Sequence, residues 1–183
     1  MKTILILIIL SFFVTESQGQ ITRPPLFDTC SYLQPLEGEW RNVNGLDTIK
    51  IYLRFHRSFN SDPETYDATL DCLWGWIEYK HGNNVIMSDY ANRFVTLPFD
   101  MTDLPDDDVS SIILWPTWGC ENPIPMLSGG IEDIVLCRQN KNITATINTS
   151  GTQMTWKLVQ PPAVVGVGCE GYTLPTEFVL TKQ

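Results

Sequence analysis

Between Thr48 and Phe55 the chain alternates without interruption. Ile49, Ile51, Leu53 and Phe55 fall on one side, and Thr48, Lys50, Tyr52 and Arg54 on the other. A period of two places one face against a core and the other toward water, which describes a half-buried strand. Upstream, Leu36-Glu37-Gly38-Glu39-Trp40-Arg41-Asn42-Val43 carries the same alternation, and Asn44-Gly45 separates the two runs. Asn-Gly tolerates the positive φ of a tight hairpin turn. With Asn44-Gly45 as a two-residue loop, Trp40 is expected to face Ile49, Gly38 to face Ile51 and Leu36 to face Leu53, while Glu39 meets Lys50 and Arg41 meets Thr48 on the other face. A slip by one residue would turn one strand's apolar set to solvent.

The pattern recurs along the chain. Asn142 to Ile147, a turn at Asn148-Thr149-Ser150-Gly151 and Thr152 to Val159 predict a second hairpin, with Ala145 facing Met154 and Ile143 facing Trp156. Further strands are expected at Leu70 to Lys80, Val85 to Asp89, Val109 to Trp115, Ile131 to Cys137 and Glu177 to Lys182. Asp100 to Asp108, Pro116 to Gly130 and Gln160 to Pro175 are too rich in Pro, Gly or Asp for central strands. No segment keeps a helical period over a useful length. The expectation is an all-β, antiparallel, up-and-down barrel of about 8 to 10 strands.

The first residues have a different character. Lys2, the apolar run Ile4 to Val14 and Ser17-Gln18-Gly19 form a secretory signal peptide, and the run is too short to span a bilayer. This gives a signal at 1–19, an extension at 20–35 and a barrel domain at 36–183, secreted to a periplasmic or extracellular location with no membrane anchor after cleavage. The formal net charge of −9 disfavours nucleic acid and anionic membrane as partners. No cysteine pair has Cys-x-x-Cys spacing, so in an oxidising compartment disulfides are the natural reading. Five cysteines leave at least one unpaired within the chain. Cys120 with Cys169 is the preferred pair, since both sit in adaptable loops whereas Cys72 and Cys137 lie in strand patterns.

Leu36-Glu37-Gly38-Glu39-Trp40 followed by a hairpin resembles the Gly-x-Trp opening of lipocalin-like barrels, in which the tryptophan closes the narrow end. Met154-Thr155-Trp156-Lys157-Leu158 and Glu177-Phe178-Val179-Leu180-Thr181-Lys182 are similar to the closing strands of small secreted bacterial lipocalin-like domains of unknown function. The resemblance covers most of the mature chain and implies a fold without an activity. Lipocalins pack a late arginine on the Gly-x-Trp indole, and no arginine follows Arg138 here. Ser88-Asp89-Tyr90 is similar to their Thr-Asp-Tyr motif but comes early in the chain.

Candidate chemistry is sparse. The sequence has no Gly-x-Ser-x-Gly elbow, no His-Glu-x-x-His and no phosphate loop, so the expectation is a protein that is not an enzyme and takes no cofactor or metal. His56 and His81 read as solvated residues of a strand end and a turn. Asp100, Asp103, Asp106, Asp107 and Asp108 lack the spacing of a calcium loop, and Glu37 and Glu39 read as surface charges. Trp74 and Trp76 are the candidates for lining an interior that takes a small apolar or amphipathic ligand. The alternative is a protein-interaction or inhibitor module acting through its loops, with Trp115 and Trp118 as the contact residues. Asn142 and Asn148 head glycosylation sequons.

Overall fold

The structure, a computed structural model, describes residues 28, 30–60, 68–100, 110–117, 126–136, 138–159 and 171–183. The expected signal peptide therefore lies outside the described residues. Among the described residues there are nine strands: β1 Gly38–Asn44, β2 Asp47–Asn60, β3 Ala68–His81, β4 Asn84–Ser88, β5 Ile112–Pro116, β6 Met126–Asp133, β7 Gln139–Ile147, β8 Gln153–Leu158 and β9 Glu177–Lys182. Eight of them form a closed antiparallel barrel in the order β1-β2-β3-β5-β6-β7-β8-β9. It closes where β9 returns to β1, pairing Lys182 with Trp40 and Thr181 with Arg41. This is the all-β, antiparallel, up-and-down barrel that the alternating pattern predicts, and it is consistent with the lipocalin-like fold that the resemblance implies.

β4 stands outside the ring. One edge of β3 is paired along its whole length with β2, from Asp47↔His81 to Asn60↔Ala68. Its other edge is divided between β5 at Leu73 to Gly75 and β4 at Glu78 to His81.

Alternation decides what faces inward. Trp40, Ile49, Ile51, Leu53, Leu73, Ile77, Ile112, Leu114, Leu127, Ile131, Ile143, Ala145, Ile147, Met154, Trp156 and Leu180 form one buried cluster along the barrel axis. At about 1.5–3 kcal/mol for each large apolar side chain removed from water, this cluster dominates the fold's stability. Trp156 stacks on Phe178 with ring centroids 5.8 Å apart. A Cβ placed on Gly75 would sit 2.9 Å from both Ile112 Cβ and Leu53 Cδ2, so the walls meet there with no spare room.

Both hairpins differ from the expected register by two residues. Trp40 faces Ile51, Gly38 faces Leu53, Glu39 faces Tyr52 and Arg41 faces Lys50. The turn is Gly45-Leu46, with Gly45 at φ 60°, so the glycine takes the first central position that a type II′ turn reserves for it and Asn44 stays in the strand. In the second hairpin Ala145 faces Trp156, Ile147 faces Met154 and Ile143 faces Leu158. Asn148 closes that loop, its Oδ1 accepting from the backbone N–H of Thr152 at 2.9 Å and of Gln153 at 3.0 Å. A slip of two preserves side-chain parity, which is why the predicted inner and outer faces survive although the partners change.

β6 corrects two further expectations. It begins at Met126, inside the stretch judged too glycine-rich for a strand, and ends at Asp133 rather than running to Cys137. A Cβ on Gly129 would come within 2.0 Å of Ile113 O, so glycine is what lets β5 and β6 approach. After Asp133 the chain turns, and Asp133 Oδ1 accepts from the N–H groups of Val135 and Leu136.

One end of the barrel is closed by Leu33 and the 3₁₀ turn Gln34–Leu36. Trp40 Nε1 donates to Leu36 O at 2.8 Å. Lys182 Nζ sits 5.8 Å from the Trp40 ring centroid and also donates to Pro35 O. A lysine from the last strand thus sets a cation beside the Trp40 indole.

Candidate functional site

The six tryptophans divide by strand parity. Trp40 and Trp156 lie in the barrel core. Trp74 and Trp76, expected to line the interior, occupy even positions of β3 and point outward. There they form a second buried cluster with Cys72 and Leu97. The segment after β4 covers them. Arg54 stacks over Trp76 at 5.0 Å and donates to Arg93 O at 3.2 Å and Val95 O at 2.7 Å. His56 Nε2 is 2.8 Å from Pro98 O, and its ring meets Trp74 edge-on. These contacts strap residues 90–98 across the outer wall of β2 and β3, so the two indoles hold the strap instead of a ligand cavity.

A small polar cleft opens where β3 passes from β5 to β4. Its volume is about 100 Å³, and it is lined by Ser88, Asp89, Asn92, Ser110, Ser111, Glu132 and Ile134. Asp89 organises it. Oδ1 accepts from Ile77 N at 2.6 Å and Oδ2 from Ser111 N at 2.8 Å, so one carboxylate bridges the gap between the separating strands. Burial raises its pKa above the ordinary value of 3.8, and the hydrogen bonds it accepts from Ile77 and Ser111 work in the opposite direction. Ser110 Oγ bonds the carbonyls of Gly75 and Ile112 at 2.6 and 2.8 Å. The cleft therefore offers acceptors and hydroxyls, with the Asp89 carboxylate already committed to backbone N–H groups. At about 100 Å³ it is well below the roughly 300 Å³ at which sites for organic ligands begin.

The remaining expected residues are placed as follows. Trp115 is on the outer face of β5, 49% exposed, and Trp118 lies outside the described residues. Cys72 is a buried free thiol whose pKa is pushed up to about 11, chiefly by burial. Cys30 is disulfide-bonded, and Cys120 and Cys169, the preferred pair, lie outside the described residues. Asn142 is exposed on β7, whereas Asn148 is engaged in its own turn. Glu37 Oε1 accepts from Phe55 N at 2.7 Å and Glu39 Oε2 from the Tyr90 hydroxyl at 2.5 Å. The expected Glu39–Lys50 pair is not formed, and Lys50 instead lies 3.4 Å from Glu78. His81 Nδ1 is 2.8 Å from Asp47 Oδ1, which also accepts from the Tyr79 hydroxyl at 3.0 Å. Among the described residues no three His, Cys, Asp or Glu side chains converge on a metal position; Asp103 and Asp106 to Asp108 lie outside them.

Sequence reasoning missed Asp89 as a structural centre. The signal was an acidic residue closing a strand shortly before an irregular stretch, and it becomes legible only once β3 is known to change partners. No protein-family model, curated protein or solved structure matches this chain.

Proposed function

We propose that this protein is a secreted, non-enzymatic barrel that acts by binding, and that it binds a protein partner on its outer surface. The observation that carries this reading is the state of the interior. The axial residues from Trp40 to Leu180 have essentially no solvent exposure, and an internal void wide enough for water would register as exposure of its walls. With Trp74 and Trp76 turned outward, a small apolar ligand has no lined volume among the described residues. Trp115 supports the alternative, as a large amphipathic side chain standing half in water on a rigid strand, the kind of group that anchors protein contacts. The signal-like first nineteen residues favour a secreted location.

The test is partner capture by tagged protein from its own secreted milieu, with Trp115→Ala and Trp118→Ala as variants. The expected result is loss of capture with an unchanged far-ultraviolet spectrum and melting temperature. Undiminished capture by the double variant, or a co-purifying apolar small molecule in native mass spectrometry, would overturn the reading.

A further inference from the structure

In the polar cleft Ser111 stands between two carboxylates. Its backbone N–H donates to Asp89 Oδ2 at 2.8 Å, and its carbonyl accepts from Glu132 N at 2.7 Å. Ile112 and Ile131 are strand partners and both face the core. The adjoining residues, Ser111 and Glu132, are therefore opposed on the outer face, where both line the cleft beside Asp89.

These three side chains are acceptors short of a donor. Ser111 is 6% exposed, and its Oγ closes no hydrogen bond, a state that buried hydroxyls rarely keep. Each Asp89 oxygen accepts one backbone N–H and retains a lone pair. Among the described residues the carboxylates of Asp47, Asp71, Glu78 and Glu177 each meet a basic side chain, whereas those of Asp89 and Glu132 meet none. In a chain of net charge −9 the cleft is thus a point of negative potential that no neighbouring side chain neutralises.

Size and lining narrow what can answer that charge. About 100 Å³ holds a charged head group and the first carbons behind it, but not a whole organic ligand. Calcium takes about six to eight oxygens, and here Ser110 Oγ is spent on the backbone of Gly75 and Ile112 while both Asp89 oxygens already hold N–H groups. A primary ammonium asks for three acceptors only. Ile134 supplies the apolar wall of the cleft, against which methylenes can lie.

We propose that this cleft binds a primary alkylammonium group, its three N–H donors directed to Glu132, Ser111 Oγ and Asp89 and its methylenes to Ile134. The group comes either from a lysine side chain of another protein or from a free amine. The site is separate from Trp115, which lies toward the other end of β5.

Amide NMR titration of the whole protein tests the assignment, with n-butylammonium chloride as the free amine and Nα-acetyl-lysine-N-methylamide as the lysine side chain. The N–H groups of Ile77 and Ser111, both bonded to Asp89, should shift saturably, with Kd of about 1–10 mM for a single charged head group. Tetramethylammonium, equal in charge but without an N–H, should leave them in place. Glu132→Gln should weaken binding about tenfold or more and Ser111→Ala about threefold, neither lowering the melting temperature. Glu177→Gln, the same charge change at the Lys157 pair outside the cleft, should leave binding intact. Tighter binding of the lysine derivative assigns the site to a protein's lysine, and binding of butylammonium alone assigns it to a free amine. Shifts that fail to saturate, that tetramethylammonium reproduces, that persist undiminished in Glu132→Gln, or that calcium chloride produces at lower concentration than either amine would each overturn the proposal.

Discussion

Replacing Gly75 by alanine tests the filled interior directly. The new methyl would lie 2.9 Å from Leu53 Cδ2, which can rotate away, and 2.9 Å from Ile112 Cβ, which cannot, because that atom is fixed to the β5 backbone. Ordinary contact needs a further half to one ångström or so. To provide it, β5 must slide against the three-pair ladder that joins Leu73, Trp74 and Gly75 to Leu114, Ile113 and Ile112. Overpacking of this kind costs about 1–3 kcal/mol. Removing a glycine from the unfolded chain returns about 0.4–1 kcal/mol. The net expectation is a loss of about 1–2 kcal/mol, or a fall in melting temperature of roughly 2–8 °C for a chain of this size. Gly75→Val should lose at least twice as much, since its two further methyl groups have the same neighbours. Urea titration followed by circular dichroism reads both variants. If alanine and valine are neutral or stabilising, the barrel has spare volume, and a ligand within it becomes the better account of function.

Two further outcomes follow from buried groups. Cys72, buried with its pKa pushed up to about 11, should resist iodoacetamide at about pH 8 in the native protein and be alkylated fully in about 6 M guanidinium, as read by intact mass; rapid native labelling would show that the outer cluster opens. Asp89→Ala strips the acceptors from two buried N–H groups and should cost about 2–5 kcal/mol in urea unfolding. Because the folded pKa of Asp89 lies above its ordinary 3.8, the folded state holds the proton more tightly, so the group's contribution is greatest below that value and declines as pH rises through the folded pKa. The advantage of the native protein over Asp89→Asn should accordingly shrink as pH rises above about 4. An advantage that grows with pH would show that the carboxylate is favoured in its charged form.

Side-chain parity was legible in the sequence because it depends only on the period of two, and a two-residue slip leaves it intact. Trp40, Ile49, Ile51, Ala145 and Trp156 are inside for that reason. Strand partners were less legible. Asn44-Gly45 admits two turns differing by two residues, and the choice rests on which central position the single glycine fills. The outward pair Trp74 and Trp76 shows a further limit. Both faces of β3 are apolar, so periodicity could not say which belonged to the barrel, and the strap over the outer face arises from the tertiary contacts of Arg54 and His56. β6 was obscured because Gly129-Gly130 reads locally as a breaker, whereas its purpose is a close approach visible only between strands.

The cleft and the outlying β4 have one cause. β3 has fourteen residues, enough to pair fully with β2, yet β5 reaches only Leu73 to Gly75 before the barrel curves away. The rest of that edge needs partners, since unpaired backbone groups there would cost about 1–3 kcal/mol each. Asp89 supplies one at Ile77, with both its backbone N–H and its carboxylate, and β4 supplies those at Glu78 to His81. Each remedy moves the problem outward. The carboxylate leaves a polar cleft behind it, and β4, added outside a ring that is already closed, has β3 as its one strand neighbour among the described residues. A sheet that had simply gained a ninth ring strand would have neither feature. The interior can therefore be filled for stability while β4, on the outer wall, keeps β3 as its one strand neighbour among the described residues.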